Sequence, residues 1–359
     1  MTISKQYLHR TNATTGRVRL FAAVVALAVV GVACGGGDTN TTSGSAGDIE
    51  GEVNISGSST VEPISIRVAE LFEDVEPGVT VNVDGPGTGD GFKLFCQGET
   101  DISDASRAIK PEEAADCKAA GVEFIEIKVA FDGISVLTSA DNKVDCLNFA
   151  DLYALVGPES KGFDKWRDAQ SLASELGSTT SFPDASLDIT APGEESGTYD
   201  SFIELAFADA AKKRVASGKL AEDQAESTRP DYSSQSDDNA IITGIEGSKS
   251  SFGWVGFAFA EEAGSAVKEI KVAKEPGGDC VAPSSASIAD GTYPLSRPLF
   301  IYVSAQAAEE NPAVAAYVDF YLNDGIAAVE DVGYVSLPDE QFQESASAWK
   351  ERTTGTREG

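Results

Sequence analysis

Ile55-Ser56-Gly57-Ser58-Ser59-Thr60-Val61-Glu62-Pro63 is the stretch on which the fold turns. Residues 51–56 read as a strand, and residues 63–72 have helical spacing, with Ile64, Val68, Leu71 and Phe72 on one face. A Gly- and hydroxyl-rich turn between strand and helix offers N–H groups and hydroxyls at a positive helix end, a setting for an anion that needs no lysine. The device recurs at Gly87-Thr88-Gly89-Asp90-Gly91 and at Ser196-Gly197-Thr198. One such turn is an ordinary N-cap; three in one chain predict convergence on a small oxyanion.

Working outward, residues 79–83 alternate as a strand into the second turn, and a helix opens at residues 92–95. Residues 112–120 read as a helix and 123–128 as a strand. Strand, loop and helix in repetition are the mark of α/β units on a mostly parallel sheet. Residues 133–138 form a continuous apolar strand, whose expected partner is the buried strand 299–303 on the chain's return. Between them the sequence predicts a helix at 151–155, a connection holding Trp166, a strand at 187–190 and one long helix from 199 to about 215. Residues 219–236 read as a polar surface excursion, 313–322 as a closing helix, and 345–359 as a fraying end. Trp166, Trp254 and Trp349 are expected to pack.

With 359 residues the chain is long enough for about two domains. Lys and Arg number 27 against 58 Asp and Glu, net −31. Lys5, Arg10, Arg17 and Arg19 fall in the first 33 residues, which hold no acid; the remainder carries 23 cations against 58 acids, or −35. Such a surface repels nucleic acid and anionic lipid. An anion site on it must work through local dipoles and a few placed cations.

Residues 1–33 have a basic start, an apolar run from 20 to 30 and small residues up to Cys34, which reads as an export signal. The run is short for a spanning helix. The signal resembles that of bacterial lipoproteins, which makes Cys34 the lipidated residue, although Gly31 stands where Leu is usual. Gly35-Gly36-Gly37 opens a flexible tether covering 34–50. In an exported chain the other four cysteines imply disulfides, with three connectivities open; Cys96–Cys117 and Cys146–Cys280 are the favoured pairs. The only histidine is His9, inside the signal. That removes Ser-His-Asp and Cys-His catalysis and His-ligated zinc from the exported part, and no metal or cofactor is expected.

Further stretches join the three turns in a fixed order. They are Phe95-Cys96-Gln97-Gly98-Glu99-Thr100-Asp101-Ile102-Ser103-Asp104-Ala105-Ser106-Arg107, Pro192-Gly193-Glu194-Glu195 before Ser196, Arg229-Pro230-Asp231-Tyr232, Ser236-Asp237-Asp238-Asn239 and Pro294-Leu295-Ser296-Arg297-Pro298-Leu299-Phe300. In this order they resemble the phosphate-specific substrate-binding proteins of bacterial ABC transporters (PstS-like), over about residues 52–340. The resemblance implies an α/β, two-lobe periplasmic-binding-protein-like fold (type II), each lobe a mostly parallel sheet flanked by helices, joined by a two-strand hinge. Residues 51–138 with 268–345 would form lobe 1, 139–267 lobe 2 and 346–359 a tail. It implies a phosphate gripped between the lobes by Ser59, Thr60 and the Val61 amide, by Thr88, by Ser106 and Arg107, and by Ser196, the Gly197 amide and Thr198. Gly89, Asp90 and Arg229 are further candidates.

The resemblance also implies a monomer that delivers phosphate to ABC permease subunits, held by a lipid anchor at Cys34 on the outer face of the membrane or free in the periplasm. Two departures stand out. Pro192 occupies a position where the well-studied branch has Arg, and Ser106 one where it has Asp. A carboxylate accepts the proton of HPO4 2−, which sulfate lacks. With Ser106 there, looser phosphate/sulfate discrimination is expected unless Asp90 or Asp104 turns inward. A receptor for sulfate or molybdate, or a secreted hydrolase working without His, stay open at this point.

Overall fold

The computed structural model describes residues 49–194 and 196–357; the export signal, Cys34 and nearly all of the tether lie outside the described residues. Among the described residues eleven strands make one curled mixed sheet: β1 (Gly51–Gly57), β2 (Val79–Asp84), β3 (Ile102–Ala105), β4 (Phe124–Ser139), β5 (Cys146–Asn148), β6 (Asp188–Pro192), β7 (Ser233–Gln235), β8 (Ser251–Gly256), β9 (Val267–Ala273), β10 (Ser296–Ser304) and β11 (Val335–Ser336). The order along the main path is β2-β1-β3-β10-β4-β8-β6-β7, with β9 and β11 pairing with β4, and β5 with β9. The strand–loop–helix units supply parallel pairs, β1 with β2 and β3, and β6 with β7 and β8. Every pairing of β4 and β10 is antiparallel.

Helices α1 (Glu62–Glu73), α2 (Thr88–Cys96) and α3 (Pro111–Ala120) belong to the first part of the chain. After them come α4 (Phe149–Val156), α5 (Gln170–Glu175), α6 (Gly197–Ala206), α7 (Ala208–Ala216) and α8 (Asp238–Glu246).

The 16-residue strand β4 is continuous where two strands were expected. Gly133 does not end it: a Cβ there would stand 2.5 Å from the Ile288 side chain, so the glycine marks a close approach within the strand. The first half of β4, Ile125 to Ala130, packs in one core with Val53, Ile55, Val68, Val303 and Tyr317. The second half, Phe131 to Val136, packs in another with Trp166, Phe202 and Trp254. The partner of β10 is therefore the first half of β4, from Ser304 against Phe124 to Ser296 against Gly133. The 134–139 half pairs instead with β8 and β9.

Other expectations need correcting. Residues 268–295 were assigned to the first lobe, yet Ile270, Val272, Ile288, Tyr293 and Leu295 share the core of Trp166 and Trp254. The single long helix from 199 breaks at Phe207, which turns into the core edge-on to Tyr153, ring centroids 5.3 Å apart. Residues 339–357 are docked, since helix Asp339–Lys350 buries Trp349, whose Nε1–H donates to Asp319 at 2.6 Å. Beyond it the Arg357 backbone N–H donates to Glu126 at 2.9 Å. An aromatic anchor and a buried carboxylate hold what composition alone read as fraying.

Both favoured disulfides are present, Cys96–Cys117 linking α2 to α3 and Cys146–Cys280 linking the start of β5 to the segment after β9. No helix among the described residues is long and apolar enough to cross a membrane.

Candidate functional site

The first turn is shaped by Gly57, at φ 156°, where a Cβ would fall 2.0 Å from the Asp104 carbonyl oxygen. The chain then folds on itself. Ser58 N–H donates to the Asp104 carbonyl at 2.9 Å, and Thr60 N–H donates to Ser58 Oγ at 3.2 Å. The Val61 amide, expected to face an anion, donates to the Ser58 carbonyl at 3.1 Å. The side chains differ in direction: Ser59 donates to Asp200 on α6 at 3.1 Å, while Thr60 is buried against Ser201.

The second turn lies directly on the first. A Cβ on Gly91 would sit 2.4 Å from Gly57 Cα, and one on Gly85 3.1 Å from Ser59 Cα. Gly87 N–H donates to the Gly57 carbonyl at 2.8 Å. Thr88 Oγ1 accepts from Ser106 N–H at 3.1 Å and lies 3.0 Å from Ser106 Oγ, so these two expected contributors are side by side. Arg107 reaches toward Gly89, with Nη2 3.9 Å from where a Cβ would be. It forks onto Glu113 at 2.7 and 2.8 Å and lies 5.5 Å from the centroid of the Phe92 ring. That carboxylate lifts the guanidinium pKa still further, so Arg107 stays charged.

The third turn comes to the first from the other core. Ser196 caps α6 by accepting from Thr198 N–H at 3.2 Å, and a Cβ on Gly197 would stand 3.2 Å from the Ser59 carbonyl oxygen. The structure thus brings together Ser59, Thr60, Gly197 and Ser201 from two separate cores, with Thr88, Gly89, Ser106 and Arg107 beside them.

Three candidates point elsewhere. Asp90 is exposed and pairs with Lys93 at 2.6 Å. Asp104 is buried beneath α1, where its Oδ2 accepts from Ser65 Oγ at 2.8 Å. Its Oδ1 has no hydrogen-bond partner among the described residues, and burial, reinforced by Glu62, pushes the carboxyl up to about 7. Arg229, placed in a polar surface excursion, is buried instead, donating to Asp231 at 2.7 and 2.9 Å and to the Phe163 carbonyl at 2.9 Å.

A family model described as the PBP superfamily domain matches residues 38–324. Protein SphX of Synechococcus elongatus is 37% identical over 306 residues, which is 85% of this chain and 83% of that protein. The phosphate-binding protein PstS of Staphylococcus haemolyticus is 32% identical over 314 residues, 87% of this chain and 90% of its own. The chain belongs to the PBP superfamily, alongside PstS and SphX. A crystal structure of a possible phosphate binding protein from Planctomyces limnophilus, 34% identical, superposes with a TM-score of 0.73 over 85% of this chain and 100% of that one.

Within this PBP-superfamily chain the sequence reading missed the residue that ties the turns together. Arg297, on β10 opposite Asp132 of β4, is 7% exposed. Its Nη2 donates to Thr60 Oγ1 at 2.9 Å and to Ser201 Oγ at 2.6 Å, its Nη1 to Glu204, and its Nε to Asp132 at 3.4 Å. Burial raises the Asp132 carboxyl above the usual range, with Arg297 and a Ser201 hydrogen bond opposing the rise. Burial likewise raises Asp200, opposed by Ser59 and Arg297. A signal was available: Arg297 is the one charged residue in the stretch 296–304, and a charge in a buried strand demands partners.

Proposed function

We propose that this chain captures inorganic phosphate outside the membrane and hands it to the permease of an ABC transporter. One observation carries the reading: turns from two separate hydrophobic cores meet at Ser59, Thr60 and Gly197, with Thr88, Ser106 and the charged Arg107 alongside. The relatives named for phosphate binding supply the ligand's identity. The grip would consist of hydroxyls and N–H groups at the N-termini of α1, α2 and α6, and hydrogen bonds to a charged group are the strong kind. The boundary between the lobes lies near residue 132 on β4 and residue 296 on β10, and closure is motion about those strands. Cys34 carries the lipid that keeps the protein at the membrane, as a monomer, with no catalysis of its own.

Isothermal titration of the purified chain with phosphate tests the reading, and saturable one-to-one binding at micromolar Kd or tighter is expected. A flat titration would overturn it. A second reading, loose discrimination among tetrahedral oxyanions, is favoured by Asp90 and Asp104, neither of which turns inward to replace the carboxylate absent at Ser106. Sulfate at thousandfold excess should then displace part of the bound phosphate.

A further inference from the structure

Arg297 donates to hydroxyls on both sides of the junction between turns. The two N–H groups of Nη2 are matched by two acceptors, Thr60 Oγ1 and Ser201 Oγ. Thr60 Oγ1 and Ser201 Oγ lie 3.2 Å apart, and each accepts from the guanidinium. With a lone pair of Thr60 Oγ1 taken by the guanidinium, its own proton is turned away from Arg297, and Ser201 Oγ at 3.2 Å is the protein hydroxyl beside it.

We infer that Arg297, braced by Asp132 and Glu204, is a positioning residue that presets the Thr60 hydroxyl as a donor toward a bound oxyanion. The inference rests on the oxyanion-binding reading and deepens it. A hydroxyl free to rotate serves donor and acceptor ligands alike. One that accepts from a fixed guanidinium has a direction, and its O–H is polarised. The place of Arg297 in the fold adds a second consequence. It stands on β10 opposite Asp132, where the two cores divide β4, and it binds Thr60 from one core and Ser201 and Glu204 from the other. It therefore completes its fork only when α6 lies against the first turn, so the donor is set as the two halves meet.

The test is a double-mutant cycle read by titration of the full chain with phosphate, sulfate and molybdate, with melting temperature as the check on folding. Arg297→Gln and Thr60→Val are each expected to weaken oxyanion binding at least 30-fold. With Thr60→Val already present, adding Arg297→Gln should cost less than a further threefold, because the arginine acts through the hydroxyl. Should Arg297→Gln fail to fold, Arg297→Lys takes its place in the cycle. It keeps the charge and loses the fork, with at least tenfold weaker binding expected. Wild-type affinity in the arginine variant, or losses that simply multiply, overturns the inference alone. A wild-type protein silent toward all three anions overturns the oxyanion-binding reading and this inference with it.

Discussion

Thr198, Ser106 and Asp104 make separable predictions. Thr198→Val removes a hydroxyl at the start of α6, and a hydrogen bond to a charged group is worth about 1.5–3 kcal/mol, so the phosphate Kd should rise tenfold or more by titration. Ser106→Asp returns a proton acceptor beside Thr88. Competition binding should show sulfate losing more affinity than phosphate. Asp104 governs stability. Its folded carboxyl titrates near 7 against 3.8 unfolded, so between about pH 4 and pH 7 the folded state holds the extra proton. Stability therefore falls as pH rises through that window, by up to roughly 4 kcal/mol, and is level above it. Denaturant unfolding of Asp104→Asn should gain over wild type at pH 8 and not at pH 4; an equal difference at both would contradict the assignment. The residues of the turns were legible because Gly- and hydroxyl-rich turns before a helix recur three times in one chain. The partners of Arg297 were hidden, because they come from positions 60, 132, 201 and 204, separations that no local pattern encodes.

The elements were readable wherever periodicity was local. β1, α1, β2 and α3 fall within a residue or two of their expected bounds. β4 and the α6–α7 break were not, since a glycine in a strand reads as a turn until Ile288 is seen against it, and Phe207 reads as helical until it is seen against Tyr153. The terminal helix escaped for the same reason, its buried aromatic anchor being Trp349. Removing everything after Leu337 should lower the melting temperature by several degrees, by exposing the core that Trp349 covers. The disulfides act on the same scale. They close separations of 21 and 134 residues, for which chain entropy gives roughly 3 and 5 kcal/mol. Thermal unfolding of Cys146→Ser/Cys280→Ser should therefore shift further than that of Cys96→Ser/Cys117→Ser.

At the scale of the whole molecule, an acidic chain of net −31 holds an anion by placing a few donors rather than by its overall field. Added salt should thus change the phosphate association rate upward by screening repulsion, while leaving dissociation nearly constant. The central claim is that turns from the two cores form one oxyanion site. It is tested most directly by solving the structure of this chain with phosphate. The account predicts density for one tetrahedral anion within hydrogen-bonding distance of Thr60, Thr88, Ser196 and Thr198 together. Phosphate bound at any other surface, with those four side chains untouched, would contradict it.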